Sequence, residues 1–229
     1  IVGAGPSGLS AAINFKKLCK KYNKDFSVCV VEKGSEVGAH ILSGAILEPT
    51  ALDELIHDWK KIEDCPVKIA VKNESLKFLT EKKSYTIPGI FTPSSMHNKG
   101  NFIISLGSFC KWLSQQAENL GVEIYPGFAA SELLVDHDKL NGIITGDLGV
   151  DKDGNRGSNF QPGIEIHAKY TLFAEGCRGH LGKELIKKYN LSEGKSPQQY
   201  GIGFKEIWEI NEKQHEEGLV MHTAGWPLD

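Results

Sequence analysis

Apolar and polar positions recur along this chain with two periods, and the switches between them mark its elements. Ile1-Val2 closes a short buried-type run, and Pro6-Ser7 opens a helix towards Lys24 with Leu9, Ala12 and Ile13 on one face. The lysine-rich far end of that helix puts cations where the helix dipole favours them. Phe26 to Lys33, FSVCVVEK, is a continuous apolar run closed by an acid, the pattern of a strand buried on both faces. Glycines punctuate Gly34 to Pro49 as loop, and Thr50 to Lys61 reads as a short helix. Leu76 to Phe91 carries two β-like runs around Thr80–Ser84, TEKKS, which predicts a hairpin. After a strand at Asn101 to Ser105, the apolar residues Leu106, Phe109, Cys110, Leu113, Ala117 and Leu120 return at helical spacing and stop at Gly121. A meander of strands follows, with turn signals at Asp136–Lys139 and Asp153-Gly154, and the remainder of the chain reads as β-rich.

The order β-α-β, then insertions, then helix and meander predicts an α/β fold: one parallel dinucleotide-binding sheet with a β-rich lobe growing from it. The 229 residues suffice for one or two domains, and 40% apolar with 24% charged residues is a globular composition. A net charge of −3 leaves no electrostatic footprint for nucleic acid. The five cysteines, Cys19, Cys29, Cys65, Cys110 and Cys177, are widely spaced and odd in number, as reduced thiols are. That spacing also argues against a metal or iron–sulfur ligand set inside this segment. No apolar run reaches the ~18 residues of a membrane-spanning helix. The sequence opens inside a motif and is expected to begin within its domain.

That motif is Gly3, Gly5 and Gly8, a G-x-G-x-x-G between strand and helix. Gly3 permits a tight turn, Gly5 lets backbone approach a pyrophosphate, and Gly8 lets the helix pack against the strand. Glu32 closes the second strand at roughly the 20-residue spacing at which a carboxylate accepts hydrogen bonds from ribose hydroxyls. These features leave FAD and NAD both open. A second strand-to-glycine junction, Ala174-Glu175-Gly176, is what a larger flavin nucleotide requires, or is an ordinary junction before the next helix. Other signals fail: HEEGL at His215–Leu219 lacks the second zincin histidine, and Asp151–Asn155 is a hairpin turn rather than a calcium loop.

IVGAGPSGLSAA, VCVVEKGSEVGAHILSGAILEP, GNFIISLGSFCKWLSQQAENLGVEIYPGFAA, FAEGCRGHLGKEL, YGIGFKEIW and HTAGWPLD together resemble the electron transfer flavoprotein–ubiquinone oxidoreductase family, in order along nearly the whole chain. The resemblance implies a Rossmann-like FAD-binding domain of the glutathione-reductase/hydroxylase type with an inserted β-rich, quinone-binding-like lobe. It implies residues 1–60 and 98–185 as the FAD-binding domain and 61–97 as an inserted hairpin region. Residues 186–229 would begin the ubiquinone-binding lobe. It implies FAD, a [4Fe-4S] cluster ligated outside this segment, and attachment to the matrix face of the mitochondrial inner membrane, or to a bacterial membrane. Electrons would arrive from reduced electron transfer flavoprotein and leave on ubiquinone, and this segment alone would be inactive. Rival readings are a geranylgeranyl-reductase-like or hydroxylase-like FAD enzyme, or a non-catalytic nucleotide-binding fragment.

Carried over by residue, the resemblance puts Gly3, Gly5, Pro6, Ser7 and Gly8 at the pyrophosphate, and Glu32 with Lys33 at the adenosine ribose. Gly38, Ala39, His40, Leu42, Ser43 and Gly44 would lie against the flavin side. Ala129 or Ala130 would be near adenine, with Ala174, Glu175 and Gly176 at the second junction. His40 would be a flavin-side donor or a packed loop histidine. Ser105 stands where many related flavoproteins have arginine, and Glu175 where wider relatives often have aspartate. Ile87, Ile90 and Phe91, with Lys82, Lys83 and Lys99 nearby, suit either an interfacial membrane anchor or a loop packed on its own domain.

Overall fold

A computed structural model describes residues 1–42 and 44–227. In chain order its elements are α1 (Pro6–Lys21), β1 (Cys29–Glu32), β2 (Ala45–Leu47), α2 (Thr50–Leu55), β3 (Ile69–Ala70), β4 (Asn73–Leu79), β5 (Ser84–Ile87), β6 (Phe102–Ile104) and α3 (Leu106–Glu118). There follow β7 (Glu123–Pro126), β8 (Ala130–Asp136), β9 (Lys139–Thr145), β10 (Leu148–Val150), β11 (Arg156–Gln161), β12 (Glu165–His167), α4 (His180–Lys188) and β13 (Leu219–Gly225). The chain divides into two compact units, Ile1–Ile41 with Cys110–Gly203, and Leu42–Phe109 with Phe204–Asp229. The sequence-based partition drew its boundaries elsewhere, at 60/61, 97/98 and 185/186.

The first unit is built on a short parallel sheet. β1 pairs with β7, and Val2 bridges Val31 on one side and Phe173 on the other, all parallel. The order is therefore β7–β1–Val2–Phe173, and it reverses direction at Val2, the place where open α/β sheets receive ligands. The Val2 amide donates to the Leu172 carbonyl, and the Ala174 amide donates to the Val2 carbonyl, both at 2.8 Å. Leu9, Ala12 and Ile13 of α1 are fully buried, which is the apolar face the periodicity predicted. An antiparallel sheet β8–β9–β12 packs Phe128, Ala130, Leu133 and Ile166 against a core of Val2, Val31, Ile143 and Leu181. Between β10 and β11 the Asp151 carboxylate accepts the amides of Asp153 and Asn155, so the DKDGN stretch is a hairpin turn.

The second unit holds two three-stranded sheets, β2–β6–β3 and β13–β4–β5. The β4/β5 hairpin is antiparallel as expected, and β13 joins β4 in parallel. The helix read over Thr50–Lys61 ends at Leu55 and resumes only as a 3-10 turn, Trp59–Lys61. That break buries the Trp59 ring, 1% exposed, edge-on to Phe102, with its indole N–H donating to Asp53 at 2.7 Å. The first helix stops at Lys21 rather than Lys24, and the strand read from Phe26 starts at Cys29. Residues 200–210, read as β-rich, carry no strand, because no neighbouring strand supplies ladder partners among the described residues. Ile202, Phe204 and Ile207 of that stretch are consequently each more than four-fifths exposed.

Candidate functional site

The site of the first unit forms where Val2 runs out into the glycine loop. Gly3 has φ +100°, and a Cβ there would lie 2.6 Å from the Ala174 carbonyl oxygen, so only glycine makes this turn. A Cβ on Gly8 would lie 2.0 Å from the Gly3 carbonyl oxygen, which fixes the close approach of α1 to the strand. Around Gly5 the space is open, with nothing within 4 Å of a built Cβ. No side chain caps the N-terminus of α1, Pro6 occupies its first turn, and no acid lies there. Uncapped first-turn amides and the positive end of a 16-residue helix therefore face the open side of the loop.

Glu32 reaches the same loop from the end of β1. Its carboxylate accepts from the amide of Ala4 at 2.9 Å and from the amide of Gly34 at 2.7 Å. A carboxylate offers about four acceptor positions, so two remain after these contacts for a pair of ribose hydroxyls. The residues present thus fit a dinucleotide: a cradle that a Cβ would fill, an uncapped helix end, and an acceptor held at the right strand end. Glu32 also bears on Cys110 of α3, whose thiol burial, and secondarily the Glu32 charge, push up to about 12.

The other expected residues are placed as follows. Lys33 is exposed beside Glu32, and Gly38 turns the chain with φ +93°. Ala39 and His40 are exposed, so His40 is not a packed loop histidine. Leu42 and Gly44 belong to the second unit, where the Gly44 carbonyl accepts from Lys205 at 2.7 Å. Ser43 lies outside the described residues. Ala130 is committed to β8 and packs on the core, whereas Ala129 is exposed and accepts from the Gly146 amide. At the second junction Ala174 lies on Gly3, and Gly176 has φ +81°. The Glu175 carboxylate is turned to α4, where it accepts the amides of His180, Leu181 and Gly182.

Sequence reasoning missed the backbone donors of Ala4 and Gly34, and it missed the turn of Glu175 towards α4. Gly179 and Gly182, spaced one helical turn apart after Glu175, were the available sign of the second. In the second unit it missed a tether: the Glu74 carboxylate on β4 accepts from His97 Nδ1 at 3.0 Å and from the Asn98 amide at 2.7 Å. Asn98 in turn lies 3.3 Å from His222 Nε2 on β13. The exposed tip of the intervening loop carries Ile90, 84% exposed, and Phe91, 70% exposed, while Ile87 is half-buried within β5. Among the described residues no helix is long and apolar enough to cross a membrane, and no cluster of His, Cys, Asp and Glu could hold a metal ion.

Residues 1–60 match the family described as NAD(P)-binding Rossmann-like domain, and residues 200–229 match the family described as ETF-QO, ubiquinone-binding. All of the chain aligns with the electron transfer flavoprotein-ubiquinone oxidoreductase of Pseudomonas aeruginosa at 59% identity, covering 42% of that protein. It aligns over its full length with the mitochondrial proteins of the same name from Dictyostelium discoideum, at 56% identity, and Bos taurus, at 51%, covering 37% of each. The chain thus spans about two fifths of the length of the curated relatives it matches. Among solved structures, FqzB is similar over 81% of this chain and 37% of its own, with TM-score 0.51 and 16% identity. The flavin-dependent brominase Bmp2 is similar over 82% of this chain and 39% of its own, with TM-score 0.50 and 18% identity. At such identities these likenesses bear on the fold alone, and they agree with the Rossmann-like α/β architecture.

Proposed function

We propose that this chain, which aligns over its whole length with electron transfer flavoprotein–ubiquinone oxidoreductases, holds the FAD of an enzyme that passes electrons from reduced electron transfer flavoprotein to ubiquinone. The observation that carries this reading is 59% identity over an alignment that covers the whole chain. FAD, when bound, supplies the electron-accepting and electron-releasing chemistry. The chain's own residues bind and orient it. The open face at Gly5 and the first turn of α1, with Pro6, Ser7 and Gly8, receive the pyrophosphate, whose charge the helix end favours. Glu32 accepts from the adenosine ribose with its two remaining acceptor positions, and Lys33 stands beside it. Ala129 lies towards adenine, and Gly38, Ala39 and His40 towards the flavin. Leu42, Ser43 and Gly44 enter this reading from the resemblance alone.

The full-length protein further carries a [4Fe-4S] cluster on ligands outside this segment and works at a membrane surface. In a eukaryote that surface is the matrix face of the mitochondrial inner membrane, as the mitochondrial naming of relatives suggests. In a bacterium it is the bacterial membrane. The exposed Ile90 and Phe91, near Lys82, Lys83 and Lys99, are the residues that favour contact with such a surface. Purified full-length protein is expected to show flavin absorbance that bleaches on mixing with reduced electron transfer flavoprotein and returns on adding a soluble ubiquinone. A colourless protein, or a flavin that does not bleach, refutes the proposal.

A further inference from the structure

We propose that Glu175 is a positioning residue of the dinucleotide site rather than a ligand to the cofactor: its carboxylate fastens the start of α4 to the floor of the glycine loop. The inference rests on the FAD reading above. One oxygen, Oε1, accepts the amides of His180 at 3.1 Å and Leu181 at 3.2 Å, and Oε2 accepts the amide of Gly182 at 2.8 Å. These are amides that a helix N-terminus leaves without intrahelical partners, and the dipole there favours a negative charge. No side chain of the Gly179 cap position serves them, so the acceptor arrives from the strand end instead.

Glycines make room for it. A Cβ on Gly179 would lie 2.8 Å from both Cβ and Oε2 of Glu175, and one on Gly182 would lie 3.4 Å from Oε2. Gly179 itself has φ −53°, so its backbone would accept alanine, and the Glu175 side chain, its Cβ as much as its carboxylate, is what excludes one. The same junction is the surface on which the loop rests. Where a Cβ of Gly3 would stand, the Ala174 carbonyl oxygen is 2.6 Å away and the Glu175 amide nitrogen 3.5 Å away. The Ala174 methyl lies 3.3 Å from the corresponding position of Gly8. Releasing Glu175 from α4 therefore frees the backbone that holds the turn of Gly3. With one methylene fewer, aspartate would span less of the first turn, which is a physical reason for glutamate here.

With its three contacts made inward, the carboxylate serves α4, and the pyrophosphate is left to the uncapped end of α1. The test uses full-length protein stripped of flavin, in wild type, Glu175→Gln, Glu175→Asp, Gly179→Ala and the Glu175→Gln/Gly179→Ala double variant. FAD is titrated by fluorescence quenching, and hydrogen exchange of amides 180–182 is followed by mass spectrometry. Each single Gln or Ala change is expected to weaken FAD binding roughly tenfold, the size of one lost helix cap, and to speed exchange at 180–182. The double variant is expected to bind no more weakly than either single, because both break one contact, and Glu175→Asp should fall between. Glu184→Gln, further along the same helix, should leave affinity unchanged. Weaker FAD binding in Glu175→Gln with unaltered exchange would make Glu175 a direct ligand and overturn the proposal. Faster exchange with unaltered affinity would reduce it to a plain cap, and additive losses in the double variant would break the link to Gly179. A wild type that takes up no FAD while amides 180–182 stay protected overturns the proposed function, and this role with it.

Discussion

A methyl group at Gly8 has nowhere to go: the Gly3 carbonyl oxygen is 2.0 Å from its position. Gly8→Ala is therefore expected to push α1 off the strand, destabilise the fold by about 1–3 kcal/mol as overpacked contacts do, and abolish FAD retention. Thermal unfolding and the flavin-to-protein absorbance ratio would measure both, and an alanine variant that keeps its flavin would refute the assignment of the loop. Thiol accessibility gives a second check. Cys177 is exposed, whereas Cys19, Cys65 and Cys110 are buried, and burial pushes the thiols of Cys65 and Cys110 up. Alkylation of native protein at neutral pH, mapped by peptide, should mark Cys177 and spare those three until denaturant is added. At this scale the glycine loop and Glu32 were legible because each has one physical job that only its residue type performs. Glu175 was half legible: its place after a strand was visible, but the direction of its side chain is set by amides five to seven residues later.

The hairpin of β4 and β5 was readable from its two β-like runs, yet its tether to the loop that follows was not. Glu74, His97 and Asn98 are brought together by the chain's return between β5 and β6 rather than by any local spacing. The hydrogen bond from His97, then that from the Asn98 amide, holds the Glu74 carboxyl below its ordinary 4.5. A depressed carboxylate contributes stability that is complete above pH 4.5 and disappears as pH falls through the lower folded value. Glu74→Gln should accordingly lower the urea midpoint at pH 6 and make less difference at a pH well below 4.5. Parallel curves at both pH values would show that the tether contributes nothing. The end of α1 and the start of β1 were each read three residues too long, since fraying at Tyr22–Lys24 and before Cys29 is decided by tertiary contacts that periodicity does not carry. The stretch 200–210 has the alternation of a strand, but a strand is made by its neighbour, and here none is paired with it.

At the level of the whole molecule the α/β class and the parallel sheet were legible in the order of elements, whereas the division into units was not. β13 joins β4 across some 145 positions of sequence, as the Lys72–Glu217 pair beside them does, and no local pattern announces such a partner. The exposed tip at Ile90 and Phe91 predicts that replacing both with serine weakens flotation of the full-length protein with anionic liposomes several-fold, about 0.8 kcal/mol being lost for each buried methylene forgone. Unchanged flotation would remove these two residues from any membrane contact. The central place of Val2 has a consequence for how the protein is made. Its two neighbours in the sheet are Val31 and Phe173, so one edge of the nucleotide cradle is synthesised about 140 residues after the other. With synthesis running at about 5–20 residues per second, the glycine loop waits many seconds on the ribosome for the backbone that shapes it. Cofactor loading is thereby confined to chains synthesised past Phe173, and a nascent chain stalled before Phe173 should be unable to capture FAD.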